Sequence, residues 1–412
     1  MPNQSYDVVI VGGGSAGLAA AASLLKRTNN FSIAIIEPSE THAYQPGWTL
    51  VGAGIFKPEN TTRPMGNVIP KGCTWIQQGV VDFQPQQNLV RLDDDNLIGY
   101  QALIVAPGLK LNFAGIEGLE ETLGKNGVTS NYRYDLAPYT WQLARNLQSG
   151  TALFTQPPVP IKCAGAPQKA MYLACDWWQQ KGALSKLDVQ FHNAGGVLFS
   201  VADFVPPLQQ TVNNYGIDLQ LNSQLVKVDG ANKTAYFNQL KDGEVVGQIS
   251  REFTMLHVCP PQTGLDFMHN QPITDAGGWL KVDPETLQNP DYTNIFGVGD
   301  CINTSNAKTA AAARKQAPVV AENVLAYLNH QPLPAGYDGY GACPLTVSRS
   351  HILLAEFGYG GKLLPTFPKW LLEATKPSRV SWWLKATAMP LVYWHLMLKG
   401  REWLLKSIAK SH

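Results

Sequence analysis

The sequence predicts an α/β fold built on parallel sheets, and three stretches carry that prediction. The chain opens on an apolar strand that runs into a glycine turn and an Ala-rich helix. A second strand-helix unit begins at Thr151-Ala152-Leu153-Phe154-Thr155. A third apolar strand, Thr293-Asn294-Ile295-Phe296-Gly297-Val298, ends in Gly299-Asp300 ahead of an Ala-rich helix over 308–328. Strands alternating with helices of this length form parallel sheets covered on both faces. The expected architecture is therefore two Rossmann-like, dinucleotide-binding-type domains plus a C-terminal amphipathic region.

The opening element is the most specific. Tyr6-Asp7-Val8-Val9-Ile10-Val11 leads into Gly12-Gly13-Gly14-Ser15-Ala16-Gly17, and Glu37 closes the next strand, Phe31-Ser32-Ile33-Ala34-Ile35-Ile36. Gly12 permits a tight turn and Gly14 lets the backbone approach a pyrophosphate at the helix N-terminus. Gly17 lets helix and strand pack closely, and Glu37 accepts hydrogen bonds from a ribose. Segments 77–92 and 99–105 alternate like hairpin strands, the latter ending in Val105-Ala106-Pro107-Gly108. In the second unit a helix is expected over 167–180 and a strand over 188–194, with further strands over 225–237 and 247–258.

Composition excludes several classes. With 412 residues, 45% hydrophobic, the chain can bury a full core, and a formal net charge of +1 gives no bias toward nucleic acid. Six widely spaced cysteines (73, 163, 175, 259, 301 and 343) form no CxxC or zinc pattern, so no metal is expected and any disulfide is expected to be catalytic. With the first strand expected from Tyr6, no signal or transit peptide is expected.

The opening strand, the Val-Ala-Pro-Gly turn and the late Gly-Asp resemble, in order and spacing, the FAD domain of the two-dinucleotide-binding-domain flavoproteins. That resemblance implies FAD, with Asp300 bonding the ribityl chain. It divides the chain into an FAD domain (1–110 and 280–330), a second domain (111–279) and a C-terminal region (331–412).

Members of that superfamily that oxidise NADH carry a second glycine motif after the strand opening the second domain. Here Phe154-Thr155 leads instead into Gln156-Pro157-Pro158-Val159-Pro160-Ile161-Lys162-Cys163-Ala164-Gly165-Ala166-Pro167. Prolines lack N–H donors and fix φ, so this segment cannot wrap a pyrophosphate. What stands there is Cys163, ahead of a helix N-terminus with Lys162 and Lys169 near, where a dipole and ammonium groups favour thiolate. Cys343 sits in the glycine-rich stretch Tyr337-Asp338-Gly339-Tyr340-Gly341-Ala342-Cys343-Pro344-Leu345. Cys175, inside a helix beside Trp177 and Trp178, reads as inert, as does Cys73; Cys259, before Pro260-Pro261, and Cys301, after Asp300, read as packing residues, with contact to the flavin as the alternative. His257 reads as a core histidine.

The segments around Cys163 and Cys343 closely resemble sulfide:quinone oxidoreductases of the mitochondrial type. The resemblance implies that Cys163 and Cys343 form a redox disulfide which hydrosulfide attacks, leaving a persulfide on one sulfur and a thiolate on the other, from which electrons pass to the flavin. It implies as partners hydrogen sulfide, ubiquinone or another membrane quinone, and a small sulfur acceptor (sulfite, glutathione or sulfide); a homo-oligomer is allowed. The cofactor-binding set is Gly12, Gly14, Ser15, Ala16, Gly17, Glu37, Gln45, Val80, Gly108, Asp300, Lys308, Thr309, Ala310 and Ala311. Lys308 is expected to stabilise negative charge on the flavin during reduction. No cysteine matches the one that holds the flavin in covalently flavinylated relatives, so the FAD is expected to be non-covalent. The competing readings are an NADH:quinone dehydrogenase, the flavoprotein subunit of a flavocytochrome sulfide dehydrogenase, and a flavin-binding module without turnover.

Five of the eleven tryptophans (370, 382, 383, 394 and 403) fall in the last 43 residues, and the segment 369–412 carries +6, leaving −5 for the rest. Aromatic and basic residues together suit a headgroup interface. The longest uncharged apolar stretch, 386–398, is interrupted by Pro390 and is shorter than a span. The tail is thus expected to bind a membrane surface, as a monotopic protein of a bacterial cytoplasmic membrane, with Phe357 and Tyr393 as aromatic walls for the quinone. Since both cysteines and the FAD motifs precede residue 381, deleting 381–412 is expected to leave reduction of the flavin by sulfide intact.

Overall fold

The computed structural model describes residues 2–402 and the backbone of 408–409; Trp403, Lys406 and the other residues of the tail's end lie outside the described residues. The first sheet contains β1 (Gln4–Val11), followed by helix α1 (Ser15–Arg27) and then β2 (Ile33–Ile36), β3 (Cys73–Ile76), β4 (Val80–Gln84), β5 (Leu89–Leu92) and β6 (Leu97–Val105). Its order is β3-β2-β1-β6-β5-β4, with the strand Ile295–Gly297 also on β6. β1, β2 and β3 run parallel, in registers such as Val9 opposite Ala34 and Ile35 opposite Trp75. The nine residues of β6 serve three neighbours: one edge pairs parallel with β1, and on the other edge the first half pairs antiparallel with β5 while Leu103–Val105 pair parallel with Ile295–Gly297. Val8, Val9, Ile10, Ile35, Leu103 and Ile104 are fully buried, as a sheet covered on both faces requires.

The second sheet is all parallel and centres on β7 (Gly150–Gln156), whose chain continues into α2 (Ala166–Gln180), β8 (Leu187–Asn193) and, on the other side, β9 (Met255–His257). Two of the expected strands divide. Residues 225–237 form two strands, Ser223–Asp229 and Thr234–Lys241, and residues 247–258 split between Glu244–Glu252 and β9. The turns are set by Asp229-Gly230 and Asp242-Gly243, the latter with φ of 52° and 86°, which Gly tolerates and Asp can adopt. His257 is fully buried and its Nε2 accepts from the Asn131 N–H, so it is a core histidine as expected.

Helix α3 (Ala310–Leu328) is N-capped by the Thr309 hydroxyl, which accepts from the Ala312 N–H, and packs on α1. A hairpin, β10 (Gly341–Thr346) and β11 (Ile352–Phe357), then covers α2. The tail folds as α4 (Arg379–Trp383), a π-helical turn at 384–388 and α5 (Met389–His395). Pro390 directly follows the π-helical turn, at the start of α5. Among the described residues no helix is long and apolar enough to cross a membrane.

Candidate active site

The nucleotide cradle is built by the first turn. Gly12 has φ +103°, and a Cβ there would meet Ala106 O at 2.5 Å; a Cβ on Gly17 would strike Gly12 O. Gly14 and Gly108, by contrast, face open space, with nothing within 4 Å of an added Cβ. Glu37 reaches back over the turn, its Oε2 accepting from the Gly13 N–H at 2.7 Å. This cradle fits a dinucleotide: Ser15, Ala16 and Gly17 form the open N-terminal turn of α1, and a carboxylate stands beside it.

At the same carboxyl end of the parallel strands, the Lys308 ammonium is buried and donates to Asp300 O (2.9 Å) and Ile302 O (2.7 Å), closing the Gly-Asp loop. It also lies 4.5 Å from the Trp279 ring centre. Burial raises the Asp300 carboxyl against the charges of Lys308 and Lys162, and burial lowers Lys308. Thr309, Ala310 and Ala311 begin α3 beside this loop; Val80 is buried at the start of β4.

The cysteines meet where the two domains face each other. Cys163 adopts φ +49°, a left-handed conformation costly for a side chain other than Gly, Asn or Asp. It is held there by its N–H donating to Lys308 O (2.8 Å), by Ala166 N–H donating to its carbonyl (2.7 Å), and by the Tyr132 hydroxyl near the same oxygen. Gln45 joins the site by accepting from Lys162 Nζ at 2.6 Å. Cys343, on β10, places its Sγ 3.7 Å from that of Cys163, the two being unbonded. Gly165 makes this approach feasible, because a Cβ there would sit 2.7 Å from Cys343 Sγ.

Two ammonium groups converge on the pair. Lys169, 2% exposed, points back along α2 as helical side chains do and donates to Cys163 Sγ at 3.0 Å. Lys385, 3% exposed, enters from the π-helical turn of the tail and donates to Pro46 O at 3.0 Å. The Cys343 thiol and the Lys169 and Lys385 charges hold Cys163 well below the ordinary thiol range against the opposing effect of burial. The bond to Cys163, burial and the Cys163 charge push Cys343 well up. Burial opposes the Lys169 ammonium, but the two sulfurs keep it protonated. Burial, with Lys169 alongside, brings Lys385 down to about 8.

The other sulfurs stay apart. Cys175 is fully buried and burial raises its pKa; burial likewise pushes Cys73, Cys259 and Cys301 up to about 12. Cys301 donates to Val105 O.

The tail differs from expectation. Only part of it faces outward: Trp370 is 85% exposed and Leu371, Val380, Trp383 and Leu391 are also exposed. Trp382 packs on Leu50 and Leu173, and Trp394 is buried beneath the Arg63 guanidinium. Tyr393 is 3% exposed, with its hydroxyl 2.6 Å from both Ser15 Oγ and His42 Nε2. Phe357 is buried edge-on to Phe199, in the cluster that contains Cys343. The two aromatic residues named for the quinone thus lie in different clusters, Tyr393 behind the nucleotide cradle and Phe357 on the cysteine side. Lys385 and Tyr393 reach the cysteines and the cradle, which weighs against the expectation that deleting 381–412 spares the sulfide half-reaction. Sequence reasoning had placed Lys385 at a headgroup interface; its signal was that it is the one Lys, Arg, Asp or Glu in 380–398.

Residues 6–317 match the family model for pyridine nucleotide-disulphide oxidoreductases. The chain is 37% identical over 398 residues to the mitochondrial sulfide:quinone oxidoreductase of Mus musculus, covering 96% of this chain and 87% of that protein. It is 40% identical over 397 residues to the mitochondrial sulfide:quinone oxidoreductase of Dictyostelium discoideum, covering 96% and 86%. The crystal structure of the sulfide:quinone oxidoreductase from the bacterium Aquifex aeolicus shares the fold, with a TM-score of 0.79 at 19% identity over 97% of this chain and 92% of that one. These relatives correct the expectation of a bacterial cytoplasmic membrane: those at 37–40% identity are mitochondrial proteins and point to a mitochondrial setting.

Proposed function

The chain belongs to the pyridine nucleotide-disulphide oxidoreductases and, within them, to the sulfide:quinone oxidoreductases, and from that membership we infer that Cys163 and Cys343 are the pair through which sulfide is oxidised. It is an FAD-dependent oxidoreductase acting on hydrogen sulfide and a quinone. The observation that carries the cysteine assignment is the 3.7 Å sulfur pair with Lys169 donating to one member.

In the oxidised pair, hydrosulfide adds to Cys343 Sγ, the S–S bond breaks, and its electron pair leaves on Cys163 Sγ. The direction follows from the leaving group: Lys169 donates to Cys163 Sγ at 3.0 Å, so negative charge is stabilised on that sulfur and it departs faster. Lys169 and Lys385 stabilise the charge as it arrives. Cys343 then carries the sulfane sulfur as a persulfide, whose outer sulfur a small nucleophile (sulfite, glutathione or a second sulfide) attacks, releasing the Cys343 thiolate. FAD supplies the two-electron acceptor that lets the two thiolates return to a disulfide and that passes the electrons to quinone. Gly12, Gly14, Ser15, Ala16, Gly17 and Glu37 hold its adenosine and pyrophosphate side, and Gln45, Val80, Gly108, Asp300, Lys308, Thr309, Ala310 and Ala311 its flavin side.

The cofactor is dissociable in this reading, since Cys73, Cys259 and Cys301 are each packed away with raised pKa values. Acid or heat denaturation is expected to leave the yellow flavin in the supernatant. Flavin remaining with the precipitate would refute this.

The outward residues of 370–391, with Lys369, Lys376 and Arg379, form the membrane-docking face, and quinone enters beside them toward Phe357 and the Cys343 hairpin. Ring burial in lipid is worth enough that Trp370→Ala and Trp383→Ala are each expected to weaken binding to anionic liposomes by roughly an order of magnitude. Sedimentation with liposomes measures it; unchanged partition of the double variant excludes this face.

A further inference from the structure

The end of the described chain forms a strap along α1. Tyr393 meets Ser15 at the first turn; Met397 and Leu398 are buried; Gly400 lies so close that a Cβ would strike Ala22 O. At the far end Glu402 accepts from Ser23 Oγ and from Lys26 and Arg27. The strap therefore runs in the same direction as α1 and is anchored at both ends, one anchor at the nucleotide cradle.

The hydrogens at that anchor can be assigned by chemistry. His42 Nδ1 is 3.1 Å from Gly13 O, and a carbonyl only accepts, so Nδ1 carries the proton. Nε2 is then an acceptor and receives the Tyr393 O–H. The Tyr393 oxygen is left to accept from the Ser15 hydroxyl. Gly13 and Ser15, the two residues flanking the open Gly14, are thus tied to one tyrosine on a helix more than 370 residues away. The ring of Tyr393 is fixed by Tyr44, 4.7 Å between centres, and by Trp394 edge-on at 5.1 Å.

We propose that Tyr393 is a positioning residue of the dinucleotide cradle, so that FAD retention and docking of the 389–402 strap strengthen each other. A free glycine turn samples many conformations, and one held on both sides of Gly14 does not have to be ordered when the pyrophosphate binds. The coupling is reciprocal: whatever the strap adds to FAD affinity, FAD adds to strap docking.

Tyr393→Phe keeps the ring and removes the hydroxyl, leaving His42 Nε2 and the Ser15 hydroxyl unsatisfied in the interior. Titrating the full-length apoprotein with FAD, followed by flavin fluorescence, is expected to show Kd raised by roughly tenfold or more. The gap in Tm between apo and FAD-bound protein is expected to narrow, and stripping FAD from the wild type is expected to speed tryptic cleavage after Lys399 and Arg401. Glu402→Gln, which loosens the far anchor without touching the cradle, is expected to raise Kd in the same direction, which keeps the test available if Tyr393→Phe folds poorly. Wild-type Kd in both variants, or equal loss of Tm in apo and FAD-bound forms, or cleavage indifferent to FAD, would overturn the proposal.

Discussion

Replacing either Cys163 or Cys343 with serine is expected to lower sulfide-dependent quinone reduction by a factor of about a thousand or more while leaving the FAD complement intact. The argument is one of chemistry rather than fold. A serine hydroxyl cannot form the disulfide that hydrosulfide opens, and at no other cysteine does a neighbouring charge outweigh burial: Cys73, Cys175, Cys259 and Cys301 are each raised above the ordinary range, Cys259 despite Lys162 and Cys301 despite Lys308. The two variants should nevertheless differ in detail. Cys343→Ser retains a low-pKa Cys163 beside Lys169, so it should still react with a thiol-specific alkylating agent near neutral pH. Cys163→Ser is expected to lose most of that reactivity, since burial raises Cys343 and Lys169 opposes it only in part. Cys175→Ser serves as the control: it changes packing against Trp178 and is expected to cost stability but no turnover. Wild-type turnover in both active-site variants would end the cysteine-pair mechanism.

Much of this was legible in the sequence. The opening βαβ unit was readable because every local signal agrees: Gly12 where Ala106 crowds the backbone, Gly17 where Gly12 O does, and Glu37 at the end of β2. Cys163 was readable from a missing feature, the glycine turn that three prolines displace. Other features were not. The strand expected over 225–237 runs across the Asp229-Gly230 turn and that over 247–258 across the break at Phe253-Thr254, because apolar residues stand on both sides of each break. The tail was harder, for a physical reason. An amphipathic segment has an apolar face, but its pattern does not say whether protein or lipid covers it, and the π-helical turn at 384–388 shifts the register between α4 and α5. A constant helical period therefore misassigns which side chains turn inward: Lys385 and Trp394, expected at a headgroup interface, and Tyr393, expected as a quinone wall, are all buried.

Lys169→Met is expected to slow reduction of the flavin by sulfide at pH 7 by about thirty- to a hundredfold, with the loss shrinking as pH rises. The sign follows from the charge that is removed. With Lys169 present, Cys163 lies well below the ordinary thiol range and is a thiolate at neutral pH. Without it Cys163 keeps the Cys343 hydrogen bond and the Lys385 charge but loses its direct donor while burial still pushes it up, so its ionised fraction at pH 7 falls; a thiol at the ordinary value of about 8.5 is only about 3% thiolate there. Each unit of added pH then restores up to about tenfold until the thiol has ionised. The wild type should show the opposite trend on its alkaline side. Lys385, at about 8, is cationic below that pH and neutral above it, so its support for the Cys163 charge fades as pH rises. Lys385→Met should lose that alkaline limb and be slower throughout the acid side. Lys169→Arg keeps the charge and should retain most of the rate. Stopped-flow bleaching of the flavin by sulfide, from about pH 6 to 9, separates these profiles. A Lys169→Met profile parallel to that of the wild type would mean that the ammonium is there for packing and that Cys163 owes its reactivity to something else.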